Sequence, residues 1–484
     1  MNAGVAGAQT TIRRPGALVA VSVLAAFTAN FDLQIVNLAL PVIGEAFDVS
    51  QSTLAWAVNA YVLPFAVSIL AVGRLGDRFG LRPVLTIGGL LFAAGAALSA
   101  LAPAYGVLLA GRVVQGIGGA ALLTIGLASI SASFEGPARG RALGLYFAAG
   151  ATAAVIGPLV GGVLTSLIGW PGMFWVQVPL AVGTAAAAWA ILPRVAGGRR
   201  RSLDAPALAL GTIVLLGING ALLQADAWGW TSIGVVGGFA VAVIALGAFV
   251  WRERTTPEPA VRLEILRSRA FVVSTLVGAA AWFGILSGSV QLAVYLQEVR
   301  GLTPTETALV LLPWPLLAAL IFPRGAAIVA RFGAPRMMVL SLAFALAAAV
   351  LTLAFDPTTP LLVVSAVAAL GGVPMSLGVV ASTMTALSEF APADAGIAAG
   401  VFNSLRQVGS AFGVAIPAAA FDLAVANGAT DLMPGSHAAF LSRVVVFALS
   451  LLAVWLLLRR PLAAPATAAG PAARPAPEPL DSAA

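Results

Sequence analysis

Apolar runs long enough to cross a membrane recur along nearly the whole chain, and they leave little choice of fold. They fall near 17–43, 53–73, 83–102, 104–130, 141–168, 171–193, 205–224, 230–251, 270–297, 305–330, 336–355, 360–388, 397–422 and 438–458. A helix needs about 20 apolar residues to span the hydrocarbon core, whereas a barrel strand needs about 10. Within lipid, every backbone polar group must be satisfied inside the protein. Runs of this length therefore predict an all-α polytopic membrane protein with fourteen candidate spans. Charged residues make up only 9% of the chain, against about 25% in soluble domains.

The charges present sort by side. Alternate connections hold Arg13 and Arg14, then Arg74, Arg78 and Arg82, then Arg139 and Arg141, then Arg194 and the Arg199–Arg201 run. The same pattern continues through Arg252, Arg254, Arg262, Arg267 and Arg269, then Arg331 and Arg336, then Arg459 and Arg460. The intervening connections hold mainly acids, such as Glu45, Asp48, Asp226, Asp356 and Asp431, with Arg300, and Arg443 just inside the last span. Cytoplasmic loops collect Arg and Lys, so both termini are expected in the cytoplasm and the chain in the cell membrane. Net charge is +7, but short loops between spans account for it, so no nucleic-acid partner is expected. There is no Cys and a single His, His437, which leaves neither thiolate chemistry nor a His-rich metal site. The chain also lacks Lys, so a GxxxxGK[ST] nucleotide loop is impossible. No cofactor is expected, and the chain does not read as an enzyme.

Two stretches are alike. Arg78-Phe79-Gly80-Leu81-Arg82-Pro83 follows the second run and Arg331-Phe332-Gly333-Ala334-Pro335-Arg336 follows the tenth. A parallel internal repeat marks transporters built from two similar bundles. The expected division is a cytoplasmic segment at 1–16, a six-helix bundle at 17–193, two inserted helices with basic flanks at 194–269, a second six-helix bundle at 270–458, and a disordered Pro/Ala-rich tail at 459–484.

Asp32 sits inside the first run. A charge at that depth costs about 2.5–3.5 kcal/mol on insertion scales, which makes an intramembrane carboxylate a proton or cation site by default. The bland alternative is a neutral Asp bonded to a neighbouring helix. Arg112, Gln115, Gly116 and Gly119 share one face of the fourth run, and at 1.5 Å per residue Arg112 lies at about the depth of Asp32. The two can meet across the first bundle, for coupling or as a structural pair. Asn30, Gln34, Asn37 and Pro41 form a stripe nearly opposite Asp32, so both faces of this helix cannot equally line a cavity. The higher burial cost favours Asp32 inward.

Further motifs follow in order. Gly73, Asp77, Arg78, Gly80 and Arg82 form a tight loop after the second run. Its glycines permit a sharp reversal, although a basic loop of this kind also simply sets topology. The second copy has Ala330 where Asp77 would stand. Gly157, Pro158, Gly161 and Gly162 form a GPxxGG sequence in the fifth run, suited to kinking and close helix contact. Together these stretches resemble the major facilitator superfamily: its GxLaDrxGrkxxl loop, its RxxqG motif at Arg112, and the antiporter motif of drug exporters at Gly157–Gly162. Asp32-Leu-Gln34-Ile-Val-Asn37-Leu-Ala39-Leu-Pro41 is similar to DxTivNvALP of the fourteen-helix drug:proton antiporters, the EmrB/QacA subfamily, with Gln34 for Thr. Trp170–Pro179 is similar to WRWiFxiNvP, with Gln177 for Asn. The resemblance implies a major facilitator fold with two inserted helices, proton coupling at Asp32 and Arg112, and export driven by proton entry.

Polar stripes remain. Asn403, Arg406, Gln407 and Ser410 share one face of the thirteenth run, and Ser287, Gln291, Tyr295 and Glu298 one face of the ninth. In lipid such stripes face protein or water, so they line a cavity or bond between helices. Trp56, Tyr61, Trp314 and Phe402 can stack on a lipophilic cation, or belong to the interfacial belt. The substrate-contact expectation is Asn37, Trp56, Tyr61, Gln115, Gln291, Trp314, Asn403, Arg406 and Gln407. The expected partners are a small-molecule substrate, protons and the bilayer, and the expected function is export of hydrophobic drugs, cationic ones among them. The alternative on the same fold is a narrow exporter of a neutral or anionic natural product, which Arg112 and Arg406 would suit.

Overall fold

A computed structural model describes residues 15–49, 51–54, 56–193, 204–256, 266–390, 395–425 and 432–459. The expected tail from residue 460, the first fourteen residues, and the Arg-bearing stretches at 194–203 and 257–265 lie outside the described residues, as do the side chains of Asn37 and Pro158.

The described chain is helical almost throughout. The first group comprises α1 (Pro15–Phe47), a short α2 (Gln51–Leu54), α3 (Trp56–Phe79), α4 (Leu81–Ala100), α5 (Tyr105–Ser133), α6 (Gly136–Ile168), and α7 (Pro171–Trp175) running into α8 (Gln177–Ile191). A hairpin follows, α9 (Ala205–Trp228) and α10 (Ile233–Thr255). The last group comprises α11 (Arg269–Val294), α12 (Pro304–Leu311) with α13 (Pro313–Phe332), α14 (Ala334–Thr352), α15 (Leu361–Leu370) with α16 (Gly372–Ser388), α17 (Ala395–Ala424) and α18 (Met433–Leu458). Side-chain caps start several helices: Asp204 accepts from the Ala207 amide, Ser232 from Val235, Ser268 from Phe271, and Thr303 with Glu306 makes a reciprocal capping box. Each satisfies an amide that the first helical turn leaves unbonded.

Among the described residues, twelve helical units are long and apolar enough to cross a membrane. The fourteen runs exceed this by two. The two outside it are α9 and the twelfth run, which is broken at Gly371 into α15 and α16.

The repeat seen in sequence is also a repeat in backbone. Gly80 stands at φ 91°, ψ 151° and Gly333 at φ 87°, ψ 139°. A side chain would be strained there, and both glycines let a span reverse within one residue. The preceding pair is copied too: Arg78 lies 5.3 Å over the Phe79 ring, and Arg331 lies 5.3 Å over Phe332.

The two groups of helices meet unevenly. At the end carrying the α1 N-terminus, one apolar cluster runs through both, including Leu143, Phe147, Val277, Phe322, Val380 and Ala399. Phe147 stacks on Phe322 at 5.7 Å. A Cβ at Gly144 would run into the Phe322 carbonyl, and one at Gly400 would stand 3.2 Å from the Ile69 carbonyl. Small residues therefore bring α6 onto α13, and α17 onto α3. At the opposite end each group keeps its own core: Phe31, Ile43, Met173 and Phe174 in the first, and Leu292, Tyr295, Phe355 and Phe440 in the second. The halves share one core at the near end and keep separate cores at the far end.

The hairpin lies across one of these two seams. Gly211 of α9 abuts Leu70 of α3, and Leu222 packs with Ala411 and Ala415 of α17. Asp204, where α9 begins, accepts from Arg252 near the end of α10 at 2.7 Å, pinning the hairpin's open end.

Candidate functional site

Asp32 is fully buried, in the middle of α1. Arg112 of α5 reaches it with one guanidinium nitrogen: Nη1 donates to Oδ1 at 2.6 Å and to Oδ2 at 2.8 Å. The same nitrogen donates to Gln115 Oε1 at 2.9 Å, and Arg112 Nε donates to the Ala57 carbonyl of α3 at 2.9 Å. Gln115 Nε2 donates to Asp32 Oδ1 at 3.0 Å and to Gln177 Oε1 of α8 at 2.9 Å. Gln177 in turn donates to the Met173 carbonyl at 3.0 Å. The guanidinium sits 4.5 Å over the Tyr61 ring and 5.9 Å from Phe174, while the Tyr61 hydroxyl donates to the Ala29 carbonyl at 3.3 Å. Side chains from four spans thus close around one ion pair, and no face of it is open.

The spacing in α5 explains the arrangement. Arg112 and Gln115 are three apart and share a face, and Gly116 and Gly119 on that face admit the Tyr61 backbone and ring. A buried pair is tolerable only when its remaining polar atoms are satisfied. Gln115 and Gln177 meet that requirement here, and sequence reasoning registered Gln177 only as a departure from Asn. Its signal was available: a lone amide deep in an apolar segment needs a partner.

The other face of α1 is also packed. A Cβ on Gly157 would stand 2.7 Å from the Gln34 Cβ, and one on Gly161 2.8 Å from Ile35 Cγ1. Gly150 lies beside Asn30. Asn30 and Gln34 of the stripe opposite Asp32 therefore face α6, and α1 is held between the ion pair on one side and a glycine-lined contact on the other.

Arg406 of α17 forms a second buried cationic position. It donates to Asn403 Oδ1 at 3.1 Å and lies 4.6 Å over Trp282 and 5.5 Å over both Phe402 and Phe147. Phe147 belongs to the first half, so Arg406 stands at the seam. Gln407 is half-buried.

The remaining expected residues are dispersed. Trp56 is 37% exposed near the far end, and Tyr61 is enclosed with Arg112. Trp314 lies inside the second half against Gly288 and Gly371, and Gln291 is buried on α11. Tyr295 donates to the Asp356 carbonyl at 2.6 Å and so serves a loop. The expected loop is helix on both sides of Gly80: Gly73, Arg74 and Gly76 are buried, Asp77 half-buried and Arg78 exposed in the last turns of α3, and Arg82, in the first turn of α4, lies 4.3 Å over Trp189. Among the described residues, no group of His, Asp and Glu side chains could hold a metal.

Comparison with known proteins gives a consistent picture. The family model described as Major Facilitator Superfamily matches residues 22–414. The chain is 32% identical over 440 residues to a methylenomycin A resistance protein of Streptomyces coelicolor, covering 90% of each. It is 30% identical over 394 residues to the multidrug resistance protein Stp of Mycobacterium tuberculosis, covering 81% of this chain and 73% of that one. Its fold matches the crystal structure of the human organic anion transporter MFSD10 with a TM-score of 0.68 at 18% identity, over 91% of this chain and 99% of the other.

Proposed function

This chain belongs to the Major Facilitator Superfamily, and from that membership we propose that it is a proton-coupled exporter of hydrophobic drugs or antibiotics, cationic ones among them. The observation that carries the reading is the sealed Asp32–Arg112 pair, a titratable group placed where a charge is hardest to keep. Relatives named for resistance to methylenomycin A and to multiple drugs support export over uptake.

Coupling works through Arg112. While Asp32 is charged, Arg112 ties α1 to α5 and, through the Ala57 carbonyl, to α3. A proton on Asp32 removes the anion from this knot and leaves α1 attached mainly through its glycine-lined contact with α6. Because α6 packs on α13 across the seam, loosening α1 changes the balance between the shared core at the near end and the separate cores at the far end. This differs from simple competition of substrate and proton for one carboxylate. With Asp32 fully buried, a drug-sized cation has no path to it in this arrangement.

The same reading assigns fourteen crossings, with α9 and the α15–α16 unit completing the twelve. It divides the chain into bundles at 17–193 and 270–458 around an inserted pair, and puts the Arg-rich ends and both termini in the cytoplasm. A narrow exporter of an anionic compound is the second reading, favoured by Arg406 at the seam, whose Nε finds no acceptor among the described residues.

The test is transport by reconstituted vesicles under an imposed pH gradient, with ethidium, a neutral dye and an anionic dye. Asp32→Asn keeps the shape and cannot titrate. It should abolish uphill ethidium export and the proton release that substrate causes in detergent, whereas Asp32→Glu should retain part of both. Uphill export by the Asn variant would make Asp32 a structural residue. Gradient-driven transport of the anionic dye alone would favour the second reading.

A further inference from the structure

The second half encloses a buried cation with no counter-charge among the described residues. Arg443 of α18 is 6% exposed, and neither its Nε nor its Nη1 has a hydrogen-bond partner among the described residues. No described carboxylate lies within ion-pair distance of it. It borders a cavity of about 40 Å³ inside the bundle, walled by Trp314, Ala345, Ala348, Gly371 and Phe447. Nη2 lies beside Gly288, where an added Cβ would come within 3.2 Å.

Comparison of the halves sharpens the point. Tyr61 and Trp314 stand the same number of residues before the matching turn glycines, Gly80 and Gly333. Both aromatics are buried beside an arginine: Tyr61 covers Arg112, and Trp314 shares the cavity wall with Arg443. In the first half the cation meets Asp32. In the second, α11 supplies Gly288 at the arginine, and no acid.

An unpaired charge in such a place costs several kcal/mol even after relaxation, so an anion gains what the fold withholds. The space sets its size. A single water needs about 10–15 Å³ of such space, so the cavity has room for a halide-sized ion beside the guanidinium. We propose that the cavity beside Arg443 is a binding site for a small monovalent anion of the chloride class, held within the second bundle. The site is independent of whether Asp32 couples protons.

The experiment uses the full-length protein in detergent at constant ionic strength, with chloride, bromide or acetate exchanged against gluconate, an anion far larger than a halide. Thermal unfolding should shift upward with chloride or bromide concentration and then saturate, as expected for a ligand bound only by the native state. Arg443→Gln should lose that dependence. Bromide-soaked crystals of the unaltered protein should carry an anomalous peak beside the guanidinium, which needs no variant to fold. Equal melting in chloride and gluconate with no bromide peak would overturn the proposal. A response to acetate but not to halide would do so as well, by pointing to a carboxylate-bearing substrate as the source of the anion.

Discussion

Asp32 and Arg112 have opposite charges but unequal support. Arg112 retains the Ala57 carbonyl, Gln115 and the faces of Tyr61 and Phe174 if the carboxylate is lost. Asp32 without Arg112 keeps only the Gln115 amide among the bonds described here. Removing one partner of a buried pair costs about 3–5 kcal/mol, and replacing both costs far less. Arg112→Leu should therefore lower the melting temperature in detergent more than Asp32→Asn does. The double variant should recover stability above Arg112→Leu while remaining unable to couple protons. Equal melting of the two single variants would mean that Gln115 and Gln177 hold the carboxylate unaided. The meeting of Asp32 with Arg112 was legible in sequence, because helical rise fixes depth. That Tyr61 encloses the pair, and that Gln115 is the partner the Gln177 amide needs, were not. Depth does not fix rotation about the axis, and helices apolar on every side give no phase. Arg443 carried a readable signal, a charge inside an apolar run, but was counted with the loop beside it.

At the scale of elements, glycine position separates contact from mere flexibility. A Cβ at Gly157 meets Gln34 at 2.7 Å, whereas one at Gly247 of α10 meets nothing within 4 Å. Gly157→Leu should abolish transport while the protein still inserts, as measured by surface expression and by efflux of a fluorescent cation. Gly247→Leu should leave both unchanged. Retained efflux in the first would reduce the α1–α6 contact to packing alone. The helical runs themselves were legible from length and apolarity. The breaks at Val176, Leu312 and Gly371 were not, since the apolar character continues through them and only the helical hydrogen bonding is interrupted.

For the whole molecule, orientation rests on the Arg asymmetry. The chain has no Cys, so single cysteines report cleanly. One placed at Thr255, exposed at the near end, should resist an impermeant thiol reagent in intact cells, and one at Thr231, exposed in the α9–α10 turn, should react. The reverse pattern would invert the assigned topology. The hairpin has a consequence of its own. Two seams join the halves, α3 with α17 and α6 with α13, and α9 lies along only the first, while α10 turns Val241, Val243 and Ile244 outward. A compound already dissolved among the acyl chains thus finds one flank of the molecule covered by two extra helices, and no such cover among the described residues on the other. Under the export proposed above, lipid-borne substrates would be barred from the first flank, and the added hairpin makes a two-fold architecture one-sided in the plane of the membrane.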